Sequence, residues 1–205
     1  MPTKMLDLAL PAVCDLSVTN VCNAACDFCG FARDKTLIGP RRYVDTEAFA
    51  RALPILHRRG IRYMTLQGGE PLVHPDIVRL VSQTAAAGMS CAIITNGWFL
   101  PRYIGSLMAA GLEQLIVSID SAELAEHERN RGLEGLERRL AEGIGRTRAR
   151  GLSVQASVTV SRCGGSFASR WSDRAGPRTP AGSLGNLRKI TKVGLLLVAI
   201  RGGWM

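Results

Sequence analysis

The chain lacks the features of a membrane or secreted protein. No apolar run approaches the ~20 residues that span a bilayer; the longest, "VGLLLVAI" near the C-terminus, falls far short. No membrane partner is expected. The opening "MPTKMLDLALPAVCD" has neither the basic start nor the long apolar core of a signal peptide, so a cytoplasmic location is expected. Without an export signal, six cysteines argue against a disulfide framework and for bound metal. Acid is scarce in one region only. Residues 161–205 hold eight Lys and Arg against the single Asp173, a net of +7, while residues 1–160 carry 18 bases and 16 acids. The overall charge of +9 therefore belongs to the tail, and no nucleic-acid partner is expected for the body.

What remains is an ordinary globular composition. The 205 residues amount to about one domain, with 46% hydrophobic and 21% charged residues. From Val13 to Val160, β-branched runs alternate with helical patterns. Strands are expected at 13–19, 61–67, 91–95, 114–119 and 153–160. Helices are expected from Asp45 or Thr46 to Arg59, from Pro75 to Gly88, from Pro101 to Ala110 and from Leu133 to Arg150. Pro54 implies a kink or break in the first of these. Such alternation makes an α/β protein with a parallel sheet, either doubly wound or a barrel. The chemically unusual residues all fall at C-terminal strand ends: the cysteine loop after strand one, "GGEP" (68–71), "TNG" (95–97) and "SID" (118–120). Parallel barrels assemble their sites there, so a barrel, complete or partial, is expected.

The cysteine loop, "CNAACDFCG" (22–30), spaces three thiols as C-x3-C-x2-C. A structural zinc site takes four donors, and Cys14, Cys91, His57 and His74 are each assigned to other elements. A [4Fe–4S] cluster normally takes four thiolates; with three, one iron is left open to another ligand.

"CNAACDFC" resembles the cluster loop of the radical S-adenosylmethionine superfamily, C-x3-C-x-aromatic-C, with Phe28 at the aromatic position. "GGEP" resembles that superfamily's second signature, also after strand two. The resemblance covers residues 13–160 and implies a core domain over residues 1–160, a partial parallel (β/α) barrel with about five of six strand–helix units recognisable. It implies a [4Fe–4S] cluster held by Cys22, Cys26 and Cys29, with S-adenosylmethionine as cofactor. Gly68, Gly69, Glu70 and Pro71 would form the strand end that holds the cofactor's amino group, with the Glu70 carboxylate facing an ammonium. Asn96 resembles a cofactor-side position, and Ser118 and Asp120 stand where the family contacts the ribose. Cleavage of the cofactor to methionine and a 5′-deoxyadenosyl radical, followed by hydrogen abstraction from a substrate, is the implied chemistry. A small-molecule or peptide substrate and a flavodoxin- or ferredoxin-like one-electron donor are the implied partners.

Other features carry bland readings. "HERNRG" (127–132) resembles a His and Arg-Gly loop of cyclase-like and peptide-modifying members, and reads equally as a solvated helix start. His74 reads as a helix-entry residue, Cys14 and Cys91 as small buried apolar groups, and "RRLAEGIGRTRAR" (138–150) as the wet face of an outer helix. After Ser161 the pattern breaks into a basic, glycine-rich tail over 161–205 with no evident sixth unit, as a shifted reading frame, a truncated gene or a disordered tail would produce. "VGLLLVAI" can still serve as an edge strand. The competing reading of the whole is a non-catalytic iron–sulfur or zinc module, or an inactive fragment of such an enzyme.

Overall fold

The computed structural model describes residues 12–26, 28–33, 39–159 and 196–198. Strand β1 is Val13–Thr19, followed by a single helical turn, α1 (Gly30–Arg33), at the end of the cysteine loop. Helix α2 (Thr46–Arg58) leads to β2 (Tyr63–Gly68), a 3-10 turn (Pro71–Val73) and α3 (Ile77–Ala86). Then come β3 (Ser90–Thr95), α4 (Leu100–Ala109), β4 (Leu112–Ser118), α5 (Leu124–Arg131), α6 (Leu136–Arg148) and β5 (Ser153–Thr159). A three-residue β6 (Leu196–Val198) completes the order.

All strand pairs are parallel and the sheet order is simply β1-β2-β3-β4-β5-β6. A doubly wound sheet reverses its order at a switch point. This one never does, so each crossover steps in the same direction, as a barrel wall requires. The fold is the expected α/β partial barrel. The edge strand suggested by "VGLLLVAI" is present, with Ser157, Val158 and Thr159 opposite Leu196, Leu197 and Val198. The other expectations for the tail, including its origin, and residue Cys163 lie outside the described residues.

Period-two alternation decides what each strand buries. Met64, Leu66, Cys91, Ile93, Leu115 and Val117 point to the helix side and are nearly inaccessible, joined by Leu80, Val81, Ile104, Leu107 and Leu140 from the helices. Burying each such side chain is worth about 1.5–3 kcal/mol. The opposite face carries Asp15, Ser17, Thr65, Gln67, Gln114, Ser118, Gln155 and Ser157, brought level by the register Asp15↔Thr65, Ser17↔Gln67 and Ser118↔Ser157. Polar side chains thus line much of the face away from the helices, with Ala92, Ile94 and Ile116 among them at its centre.

Two expectations need correcting. Helix α2 runs through Pro54 without a break, capped by the Asp45 carboxylate on the Ala48 amide and held by burial of Phe49 and Leu53. One missing N–H costs less than that apolar face secures. The segment around "HERNRG" is not a solvated loop but helix α5, with His127 and Arg131 buried. The fourth expected helix correspondingly starts later, at Leu136. His74 is an entry residue, accepting from the Asp76 amide at Nδ1 (3.1 Å) and donating from Nε2 to the Val44 carbonyl (3.0 Å). Cys91 is buried as expected, and Cys14 half-buried. In α6, Leu140, Gly143, Ile144 and Thr147 face inward and Arg138 and Arg146 are exposed, as is Arg150 just beyond the helix.

Candidate metal and cofactor site

The site grows from the exit of β1. Thr19 Oγ1 donates to the Arg42 carbonyl (2.8 Å), and the Asn20 amide group pairs with Pro40 and Arg42, so one side of the exit is pinned before the cysteines begin. The other side is pinned by the end of β2: the Gly69 amide donates to the Thr19 carbonyl and the Glu70 amide to the Val21 carbonyl, both at 2.8 Å. This contact explains the paired glycines. A Cβ on Gly68 would lie 2.3 Å from the Thr19 carbonyl oxygen, and one on Gly69 2.2 Å from that of Val21. Gly68 also has φ of +131°, which L side chains rarely adopt. The chain's own backbone, before any ligand, demands both glycines.

Glu70 is 1% exposed. Its Oε1 accepts from the Leu72 amide (3.0 Å) and the Thr95 hydroxyl (2.7 Å), and its Oε2 from the Asn96 amide (2.8 Å). Its carboxylate ties the end of β2 to the end of β3. Burial, the dominant influence, pushes its carboxyl above the usual range, against the pull of those three bonds. Pro71 opens the 3-10 turn that follows.

From β3 the network returns to the cysteines. The Trp98 amide can only donate, and does so to Asn96 Oδ1 (2.9 Å). That orients the Asn96 side chain, whose Nδ2 donates to Asn23 Oδ1 (2.9 Å). Asn23 is oriented in turn, and its Nδ2 is left buried with no partner. A buried donor without an acceptor costs about 1–3 kcal/mol, and this one lies between two of the three loop cysteines.

Cys22, Cys26 and Cys29 are unbridged, Cys26 buried and the other two half-buried. Burial raises the Cys22 thiol and pushes Cys26 up to about 11. The Ala24 amide donates to Cys22 Sγ (3.4 Å). Among the described residues no three His, Cys, Asp or Glu side chains are grouped to hold a metal ion. The donor set nevertheless suits an iron–sulfur group: three thiols on one short loop, an orphaned donor among them, and neighbouring backbone held from both sides. The described neighbours therefore fit such a group.

Beyond β4, Ser118 is half-buried at the strand's end. Asp120 is buried and bound bidentately by Arg131, Oδ2 to Nε at 2.6 Å and Oδ1 to Nη2 at 2.8 Å. Burial alone would raise its carboxyl; the bonds from His127 and Arg131 and the guanidinium charge hold it below the usual range. The Arg131 guanidinium also stands 5.6 Å from the centroid of the Phe28 ring. Thus the structure brings the cysteines, Phe28, Gly68–Pro71, Asn96 and Asp120 into one neighbourhood. Sequence reasoning missed Asn23 and undervalued Arg131. The first was signalled by its place inside the cysteine loop, the second by the "HERNRG" motif itself.

The comparisons with known proteins point the same way. The model of the Radical SAM superfamily matches residues 16–165, and the chain belongs to that superfamily. It is 37% identical over 108 residues to a GTP 3′,8-cyclase of Heliobacterium modesticaldum, covering 52% of this chain and 33% of that protein. It is 31% identical over 153 residues to an AdoMet-dependent heme synthase of Methanosarcina barkeri, covering 74% and 43%. The chain therefore spans less than half the length of these relatives. Streptococcus suis SuiB bound to S-adenosylmethionine shares the fold, with a TM-score of 0.64 at 15% identity over 80% of this chain and 37% of that one. Methylornithine synthase (PylB) does so at 0.60 and 17%, over 78% and 47%. Superfamily members generally use a [4Fe–4S] cluster with S-adenosylmethionine. No helix among the described residues is long and apolar enough to cross a membrane.

Proposed function

We propose that residues 1–160 are the core domain of an enzyme that holds a [4Fe–4S] cluster on Cys22, Cys26 and Cys29 and binds S-adenosylmethionine beside it. Such a group, when bound, supplies the electron that cleaves the cofactor's sulfonium and so yields the 5′-deoxyadenosyl radical that takes a hydrogen from the substrate.

The protein's part is placement. Gly68 and Gly69 present backbone at the end of β2, and Glu70 holds that backbone against β3. Asn23 offers its unpartnered Nδ2 to an acceptor on the bound groups, and Asn96 keeps it oriented. Phe28 shields the thiols, and Ser118 offers a hydroxyl to the cofactor's ribose. Asp120 reaches that region through its pair with Arg131. The substrate is a small molecule or a peptide, and a flavodoxin- or ferredoxin-like protein in the cytoplasm is the electron donor.

The observation that carries this reading is the continuous network Leu72–Glu70–Thr95/Asn96–Asn23, which joins two separate sequence signatures, "GGEP" and "TNG", to the cysteine loop. The test is 5′-deoxyadenosine formation by protein reconstituted anaerobically with iron and sulfide, given S-adenosylmethionine and dithionite. Product above a Cys22→Ala/Cys26→Ala/Cys29→Ala control supports an enzyme. Full iron loading with no product identifies a non-catalytic metal module instead.

A further inference from the structure

Arg131 lies more than a hundred residues from the cysteine loop, yet touches it through main chain, side chain and neighbour. Its carbonyl accepts from the Ala25 amide at 2.9 Å, a bond into the stretch between Cys22 and Cys26. Its guanidinium faces the Phe28 ring at 5.6 Å, one residue before Cys29. The next residue, Gly132, packs so closely that a Cβ there would lie 3.1 Å from that of Ala25. All this is held by the bidentate pair with Asp120, in which Arg131 is 7% and Asp120 8% exposed. A buried pair of this kind is weak evidence for stability, since desolvation offsets much of the attraction. Its contacts with the loop point to another role.

We propose that Arg131 is a positioning residue for the cysteine loop, anchoring it through the main chain while Asp120 holds its guanidinium as a fixed positive charge beside the thiols. This rests on the reading of the loop as a cluster site. The pair fixes where that charge sits: the guanidinium, forked onto Asp120, stands against Phe28, one residue before Cys29. A cation held there favours added negative charge on whatever the three thiols hold. His127, also packed on Asp120, approaches its Oδ2 to 3.6 Å and belongs to the same support.

Two readouts test this. In the metal-free protein, hydrogen exchange at the Ala25 amide, which donates to the Arg131 carbonyl, should be at least several-fold faster in Arg131→Gln than in wild type or in Arg138→Gln, an exposed control on α6. In the reconstituted protein, the midpoint potential of the cluster should fall in Arg131→Gln and rise in Asp120→Asn. Each shift should be about tenfold in the one-electron reduction equilibrium, or about 59 mV. Arg131→Lys, which keeps the charge but not the fork, should stay near the wild-type potential with intermediate exchange. Loosening of structure alone would move the Gln and Asn variants the same way, so opposite signs identify the charge. Shifts of equal sign, no shift, or wild-type exchange at Ala25 in Arg131→Gln overturn the proposal. If wild type takes up no cluster, the cofactor reading fails while the exchange rates still decide the anchoring.

Discussion

Two buried carboxylates stand at neighbouring parts of the site and are kept in opposite ways. Glu70 meets only neutral donors: two backbone amides and a hydroxyl. Asp120 meets a guanidinium through two short bonds. Both lose their water on folding. At Glu70 burial outweighs the hydrogen bonds and the carboxyl is raised; at Asp120 His127 and Arg131 together outweigh burial and the carboxyl is lowered. Three neutral donors do not offset burial at Glu70, whereas His127 and the charged fork of Arg131 together do so at Asp120. Glu70 therefore acts as a clasp between β2 and β3, and Asp120 as half of an ion pair that reaches the cysteine loop.

The comparison can be broken at either acid. Glu70→Ala leaves the Leu72 and Asn96 amides and the Thr95 hydroxyl without their acceptor. It should have the largest effect, a loss of about 4 kcal/mol in urea unfolding, and should release the cysteine loop through Asn96. Asp120→Asn leaves a buried guanidinium poorly paired and should cost about 3 kcal/mol. A double variant with Arg131→Met should recover part of that loss, because both charges are then gone; equal or additive losses would show that the pair is not coupled. Thr95→Val removes one neutral donor from Glu70 and keeps the shape. It should cost about 1–2 kcal/mol.

The subtlest test is the sign of the pH dependence. Asp120 has a lowered folded carboxyl, so its contribution is present above the usual carboxylate range and is lost as pH falls through the folded value. The stability gap between wild type and Asp120→Asn should therefore narrow in acid. Glu70 has a raised folded carboxyl, so the folded state binds more protons, and its contribution declines as pH rises from the usual range through the folded value. Wild type should lose stability relative to Glu70→Gln over that interval. Slopes of the same sign in the two comparisons would refute the distinction between the acids.

Much of this molecule is legible in one dimension. Strand β1 matches its alternating run residue for residue, and the helix before β2 starts at its Asp45 cap and stops before Gly60. Gly88 and Gly111 end the next two helices with positive φ, as their positions suggest. These are local signals, read from a cap, a period or a backbone angle. The start of α5 was not legible, because its sequence "LAEHERNR" is too polar to show an apolar stripe. Only contact with Asp120 and the cysteine loop makes His127 and Arg131 inward residues. Glu70 was legible as a residue of the site but not in its partners, because Thr95 and Asn96 reach it only once β3 lies beside β2.

The sequence by itself determined the alternation of strands and helices, the three thiols on one loop, and the clustering of unusual residues at strand ends. Spacing, periodicity and glycine carry that information within a few neighbouring positions. The tertiary structure alone decided which groups became partners. It turned Gly68 and Gly69 into a backbone seam with β1, oriented Asn23 through Asn96, and made a buried pair of Asp120 and Arg131. Those outcomes depend on desolvation and on distances between segments far apart in the chain, and neither exists until the sheet has formed.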